Sequence, residues 1–396
     1  MSANDAELGA LLLAVNNNLR KFFATPARSA AKFRRNRGVR AWPRAAKMQR
    51  LAQCEKQGAM RQISAFFVAL LAFSVPTLLT VPAEAACQGQ NLIAALSPEV
   101  QTTLRTEAAK QPFAIGNFWL ATKGTEEITL VGTYHFDDPR HAVSLKGLAP
   151  ALAKAKVLLV EAGPKEQDSL KARMADDPSL IVNTDGPTLA EVLKPQDWQH
   201  LREAASARGV PSFMVAKFRP WYVSVLLAMP PCSMDLAAMP EGLDAQLIQA
   251  ATARGLPVQA LEPYDTLFSI FGGMSQSEQI DMITSALALE EKSADMAVTL
   301  ADAYFAEEGR LIWEFSKLQT LQQPGFTPER VDREFAVMEK LMMNDRNRSW
   351  IPVIEAASAK GPILVAFGAL HLSGDQGVLK LLQDDGYTIT RLSFSQ

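Results

Sequence analysis

Cysteine is scarce: there are three in 396 residues, and no two are spaced as C-x-x-C. That excludes a disulfide-dense mini-fold and a cysteine-based metal knuckle. Histidine is nearly as rare, with four copies, so any imidazole chemistry is drawn from His135, His141, His200 and His371. No fixed-period repeat is present, which excludes a solenoid. Net charge is almost absent, at −2 overall, but that average hides a split. Thirteen of the 40 Lys/Arg and only three of the 42 Asp/Glu lie in residues 1–62, a net of +10. Residues 86–396 hold 27 basic and 38 acidic residues, a net of −11. An acidic body repels phosphate backbones, so nucleic acid is not an expected partner. With 48% hydrophobic residues, the chain is long enough to bury a large core.

The one long apolar run is Ile63–Pro82, preceded by Arg61 and followed by Ala83-Glu84-Ala85. A basic start, an apolar stretch and a small-x-small site are the pattern of a secretory signal peptide. The expectation is a signal peptide over residues 60–85, cleaved near Ala85, with residues 1–59 a disordered or upstream extension. A translation start at Met60 or Met48 fits that reading. The alternative is an uncleaved membrane anchor, since the run just reaches spanning length, although Pro76, Thr77 and Thr80 interrupt it. Export to the periplasm or cell envelope would leave Cys87 and Cys232 in an oxidising compartment. They are expected either to pair or to stay as two buried thiols.

In the remaining chain, residues 86–396, apolar runs and helix signals alternate. Asn117–Leu120 and Glu127–Val131 flank a Lys-Gly-Thr-Glu tip and read as a hairpin. Val157–Val160, Val258–Leu261 and Pro362–Phe367 read as short buried strands. Helices are expected at Ser97-Pro98-Glu99, Thr188–Arg208, Asp244–Arg254, Ser277–Thr320, from Thr327 to about Lys360, and at Gly377–Asp385. The pattern predicts an α/β domain with a mainly parallel central sheet flanked by helices and a helical insertion at about 275–345.

The informative feature stands at the strand ends. One strand runs into Gly132-Thr133-Tyr134-His135 and another into Gly368-Ala369-Leu370-His371, while two others end at Glu161 and Glu262. Ligands of open α/β sheets sit at the carboxyl ends of strands. Two imidazoles and a carboxylate there could bind a divalent metal that lowers the pKa of a bound water. Without metal, a His–Glu pair could activate water directly. Arg219 and Arg346 are candidates for electrostatic support, and a buried Arg219 would need Glu161 or Glu262 as partner. His141 is a weaker candidate ligand, and Asp137-Asp138 reads equally as a turn. His200 reads as surface or core trim, and the Met-rich stretch Met229–Met239 as gap-filling core or a lid.

These strings carry a resemblance. Leu130-Val131-Gly132-Thr133-Tyr134-His135, Val160-Glu161-Ala162 and Gly368-Ala369-Leu370-His371-Leu372-Ser373-Gly374 together resemble the TraB/GumN family, which is related to the Tiki metalloproteases and the erythromycin-esterase/ChaN group. Phe218-Arg219-Pro220-Trp221, Gly242-Leu243-Asp244 with Leu261-Glu262, Asp345-Arg346-Asn347-Arg348 and Gly386-Tyr387 extend the likeness over residues 90–395. The resemblance implies an erythromycin-esterase/ChaN-like fold and a metal-dependent, peptidase-like hydrolase with His135, His371 and Glu161 as ligands of zinc, manganese or cobalt. Glu262, Arg219 and Arg346 would assist, and the substrate would be a peptide or small molecule. The same kinship leaves open a metal-free His-dependent esterase and a non-catalytic binder of peptide, haem or metal.

Overall fold

A computed structural model describes residues 87–234 and 242–394. The expected signal run, the basic stretch before it and the end of the Met-rich stretch lie outside the described residues. No helix among the described residues is long and apolar enough to cross a membrane.

Six strands form one sheet: β1 (Phe118–Lys123), β2 (Glu126–Thr133), β3 (Leu158–Val160), β4 (Val258–Ala260), β5 (Ile363–Gly368) and β6 (Thr388–Arg391). Their order is β4-β3-β5-β2-β1-β6. The first four in that order are mutually parallel. β1 runs antiparallel to both β2 and β6. The expected mainly parallel α/β sheet is thus present, closed on one side by a hairpin and an antiparallel edge strand that the sequence reading missed.

The two faces of the sheet are read out by alternation, because successive strand side chains point to opposite sides. Leu130, Val365 and Phe367 pack with Trp350, Ile354 and Leu379 of the helices Asp345–Ser358 and Val378–Asp384. Val131, Leu364 and Ala366 pack on the other face with Leu148, Leu243 and Leu247 of the helices His141–Lys154 and Leu243–Ala253. A separate apolar core joins the helices Pro195–Ala207, Pro220–Ala228 and Gln276–Leu287.

Several expected helices are subdivided. Thr188–Arg208 is two helices, Leu189–Val192 and Pro195–Ala207, because a proline disfavours helical geometry at the residue before it. Ser277–Thr320 is broken into Gln276–Leu287, Ser293–Phe305 and Gly309–Leu321. From Pro328 to Ser358 the backbone stays helical but contains one π turn, Lys340–Asn344.

Cys87 and Cys232 are joined by a disulfide with Cα atoms 5.1 Å apart, within the range such a bond requires. Because the bridge spans 145 positions of sequence, it removes much of the unfolded chain's freedom. Replacing both cysteines by serine is expected to lower unfolding free energy by about 3–5 kcal/mol. Urea denaturation checks this, and the reductant-treated parent should match the double variant.

Candidate active site

The parallel register brings the four strand ends to one edge. Thr133 of β2 lies opposite Gly368 of β5, and Val160 of β3 lies opposite both Ala366 of β5 and Ala260 of β4. Glu161 follows β3 directly, Glu262 lies two residues past β4, His135 two past β2 and His371 three past β5. In spatial order along the edge these are Glu262, Glu161, His371 and His135. The loop after β5 can cross the end of β2 only because residue 132 is glycine: a Cβ there would lie 2.7 Å from the Ala369 backbone.

Arg346 joins three of these ends. It enters from the helix Asp345–Ser358 and is 4% exposed. Its Nε and Nη2 donate to the two oxygens of Glu262 at 2.8 and 2.6 Å, and Nη2 also donates to Glu161 Oε2 at 2.6 Å. Its Nη1 donates to the Met342 carbonyl and lies 3.3 Å from His371 Nε2. Trp350, one turn further along the helix, donates its indole N–H to Glu262 Oε2 at 3.0 Å and lies under the guanidinium. The second oxygen of Glu161 accepts from the Gly368 N–H at 2.6 Å. A fork of charged bonds of this kind is strong and orientationally specific.

The two carboxylates are pushed apart in acidity. Burial alone would raise Glu161, but the Arg346 charge and the Gly368 N–H outweigh it and hold the carboxyl well below the usual range. Burial raises Glu262, and the neighbouring Glu161 charge adds to that, against the lowering by Arg346. One guanidinium cannot fully compensate two buried carboxylates, so the second one resists ionisation.

His371 is fully buried. Asn347 donates to the Gln376 carbonyl through Nδ2, which leaves its Oδ1, 2.6 Å from His371 Nδ1, to accept the ring proton. His371 Nε2 then presents its lone pair to Arg346. Burial, helped by the Arg346 charge and opposed by Glu161, lowers this imidazole to about 3, so it is neutral at neutral pH.

His135 is held differently. Its Nδ1 is 3.1 Å from Asp244 Oδ1, which favours the tautomer with the proton on Nδ1 and the basic lone pair on Nε2. Asp244 sits in the first turn of the helix Leu243–Ala253, and that helix start is pressed onto the loop of His135. The Leu243 N–H donates to the Tyr134 carbonyl at 3.0 Å, and a Cβ on Gly242 would lie 2.3 Å from the His135 carbonyl carbon.

Asp244 and Asn347 were not among the residues expected at the site. The signal for both was present in the sequence, in Gly242-Leu243-Asp244 and in Asp345-Arg346-Asn347-Arg348. Arg219 is not brought to the cluster. It precedes the helix Pro220–Ala228 and bonds the Ser179 carbonyl instead of forming the expected ion pair with Glu161 or Glu262. His141 bonds the Phe136 carbonyl and packs against Phe305 and Tyr304. Asp138 is occupied by Arg140, and His200 is exposed.

Two of the three candidate metal ligands, His371 and Glu161, do not fit a metal as they stand. His371 uses one ring nitrogen on Asn347 and turns the other to Arg346, and both Glu161 oxygens are taken by Arg346 and Gly368. A metal ion between them would meet the guanidinium charge. Among the described residues no group of three or more His, Cys, Asp or Glu side chains is arranged to hold a metal ion.

Residues 117–391 match the model of the family described as TraB/PrgY/gumN, a span that runs from the residue before β1 to the last residue of β6. Comparison with curated proteins gives no match.

Two stability measurements test this geometry. Arg346→Met strands two buried carboxylates and should cost about 3–5 kcal/mol, read as a lower urea midpoint; an unchanged midpoint would contradict the buried pairing. The lowered His371 predicts stability that is complete above the ordinary imidazole value of 6.5 and falls as pH drops towards 3, by at most about 1.4 kcal/mol per pH unit for one proton. His371→Asn should make the slope between pH 6.5 and 4.5 shallower. It should not flatten it, because burial also lowers His141.

Proposed function

The chain belongs to the TraB/PrgY/gumN family, and we propose that it is a hydrolase of peptide-type acyl bonds in which His135 activates water. The observation that carries this reading is the Asp244 carboxylate 3.1 Å from His135 Nδ1, beside a charge cluster at the carboxyl edge of a parallel sheet. A carboxylate on one ring nitrogen orients a histidine and stabilises its protonated form, while the other nitrogen serves as the base.

In this mechanism His135 Nε2 takes a proton from water as the water oxygen bonds to the acyl carbon. The imidazolium, stabilised by Asp244, returns the proton to the leaving amine as the carbon–nitrogen bond breaks. One peptide bond and one water become a carboxylic acid and an amine. Arg346, locked by Glu161 and Glu262, positions the neighbouring ends of β3, β4 and β5 and acts through them. Burial and the neighbouring Glu161 charge make Glu262 the harder of the two to ionise, while Arg346 favours the charged form of both. No step passes through a metal, because His371 is held between Asn347 and Arg346 and both Glu161 oxygens are taken by Arg346 and Gly368. The Cys87–Cys232 bridge supports an oxidising compartment, in line with the signal-like run before it.

The full chain, incubated with a panel of short peptides and with aryl esters, tests the proposal. Hydrolysis should survive a chelator. It should fall by about 10²–10⁴-fold in His135→Ala and in Asp244→Asn, with unchanged thermal midpoints. Activity lost to chelator and restored by manganese, zinc or cobalt would return the metal-dependent mechanism. Ligand uptake without product would make the protein a binder.

A further inference from the structure

A sizeable cavity among the described residues lies away from the sheet edge. It has a volume of about 460 Å³ and lies between the helices Pro220–Ala228 and Gln276–Leu287 on one side and Gly309–Leu321 and Pro328–Glu339 on the other. That volume is in the range of small-molecule sites, about 300–1,000 Å³. Its wall is apolar and rich in methionine, including Met274, Met282, Met338 and Met342 with Phe271 and Leu341. Unbranched thioether chains adapt to the shape of an apolar guest.

Two further observations limit what the guest is. Trp313 stands in the wall, is 3% exposed and has its indole N–H buried with no hydrogen-bond partner among the described residues. A buried donor left unpaired is costly, and an acceptor atom on a guest would satisfy it. The exposed rim carries Glu278, Asp281 and Glu334 against Arg333. Glu334 is paired with Arg330 at 2.7 Å, so the mouth keeps a net negative charge. A guest with an anionic head is therefore disfavoured.

We propose that this chamber binds a single-chain amphiphile with an uncharged head, whose head-group oxygen accepts from Trp313 Nε1. The inference does not rest on the hydrolase reading, since it concerns binding alone.

The test uses the full chain and the neutral dye N-phenyl-1-naphthylamine, whose fluorescence rises in apolar surroundings, with 1-dodecanol and dodecanoate as competitors. The dye should bind. Dodecanol should displace it at concentrations at least about twofold below dodecanoate. Ala286→Trp, which fills the chamber from the helix Gln276–Leu287, should abolish dye uptake. Trp313→Phe should leave dye binding intact and weaken dodecanol by about two- to tenfold, the loss of one hydrogen bond. No dye uptake, full uptake by a folded Ala286→Trp chain, an unchanged dodecanol affinity in Trp313→Phe, or dodecanoate binding as well as dodecanol would each overturn the proposal. The competitor order is measured on the parent chain, so it decides even if Ala286→Trp fails to fold.

Discussion

The guanidinium of Arg346 is the constraint on which the candidate site depends. Neighbouring parallel strands lie about 4.8 Å apart, so carboxylates placed at the ends of β3 and β4 come within reach of one planar fork. A buried cation and two buried carboxylates are tolerable only if nearly every donor and acceptor is used. Here Glu262 takes two bonds from Arg346 and one from Trp350, and Glu161 takes one from Arg346 and one from Gly368. The consequence extends past the charges. Residues 346, 347 and 350 lie within five consecutive positions of the helix Asp345–Ser358, so the stretch that places the guanidinium also places Asn347 on His371 and Trp350 on Glu262.

The other half of the edge is built on close backbone approach rather than on charge. Gly132 lets the β5 loop lie across the end of β2, and Gly242 lets the helix of Asp244 start against the loop of His135. His135 therefore has a carboxylate partner of its own, outside the Arg346 cluster. The two histidines of the repeated Gly-x-x-His motif end up in unlike states. His371 is neutral, fully buried and held between Asn347 and Arg346, and His135 is oriented by an acid that would stabilise its charged form. A motif repeated in sequence supplies two different chemical groups, because the residues facing each copy differ.

Much of this was legible before the fold. The strand ends could be located because Val157–Val160 and Ile363–Phe367 are continuous apolar runs, as strands covered on both faces must be. The runs stop at Glu161 and Gly368. Strand order was not legible: β5, last but one in sequence, lies between β3 and β2, and parallel neighbours are chosen by helix packing far along the chain. β6 was missed because Thr388–Arg391 is short, polar and at the edge. Arg219 was misplaced because its local sequence, Arg before Pro at a helix start, resembles that of a site residue. A long-range bridge between Val182 and Phe218 sets it beside Ser179 instead. Arg346 could equally be read as a surface ion pair, since the acids that bury it come from strands 84 and 185 residues away in sequence.

The helical stretch Pro328–Ser358 shows how one local irregularity can set two surfaces. An α-helix turns by about 100° per residue, from its 3.6 residues per turn, so a π turn, which adds a residue, rotates everything after it relative to everything before. Before Lys340–Asn344, Phe335 and Met338 line the apolar chamber; after it, Arg346 and Trp350 face the sheet edge. Within the π turn, Met342 faces the chamber with its side chain and holds Arg346 Nη1 with its carbonyl. A π turn is a poor helical geometry and recurs mostly at functional sites. In this chain its position, between the chamber and the charge cluster, accounts for its presence better than helix propensity does, because an uninterrupted α-helix would turn Arg346 away from Glu161 and Glu262.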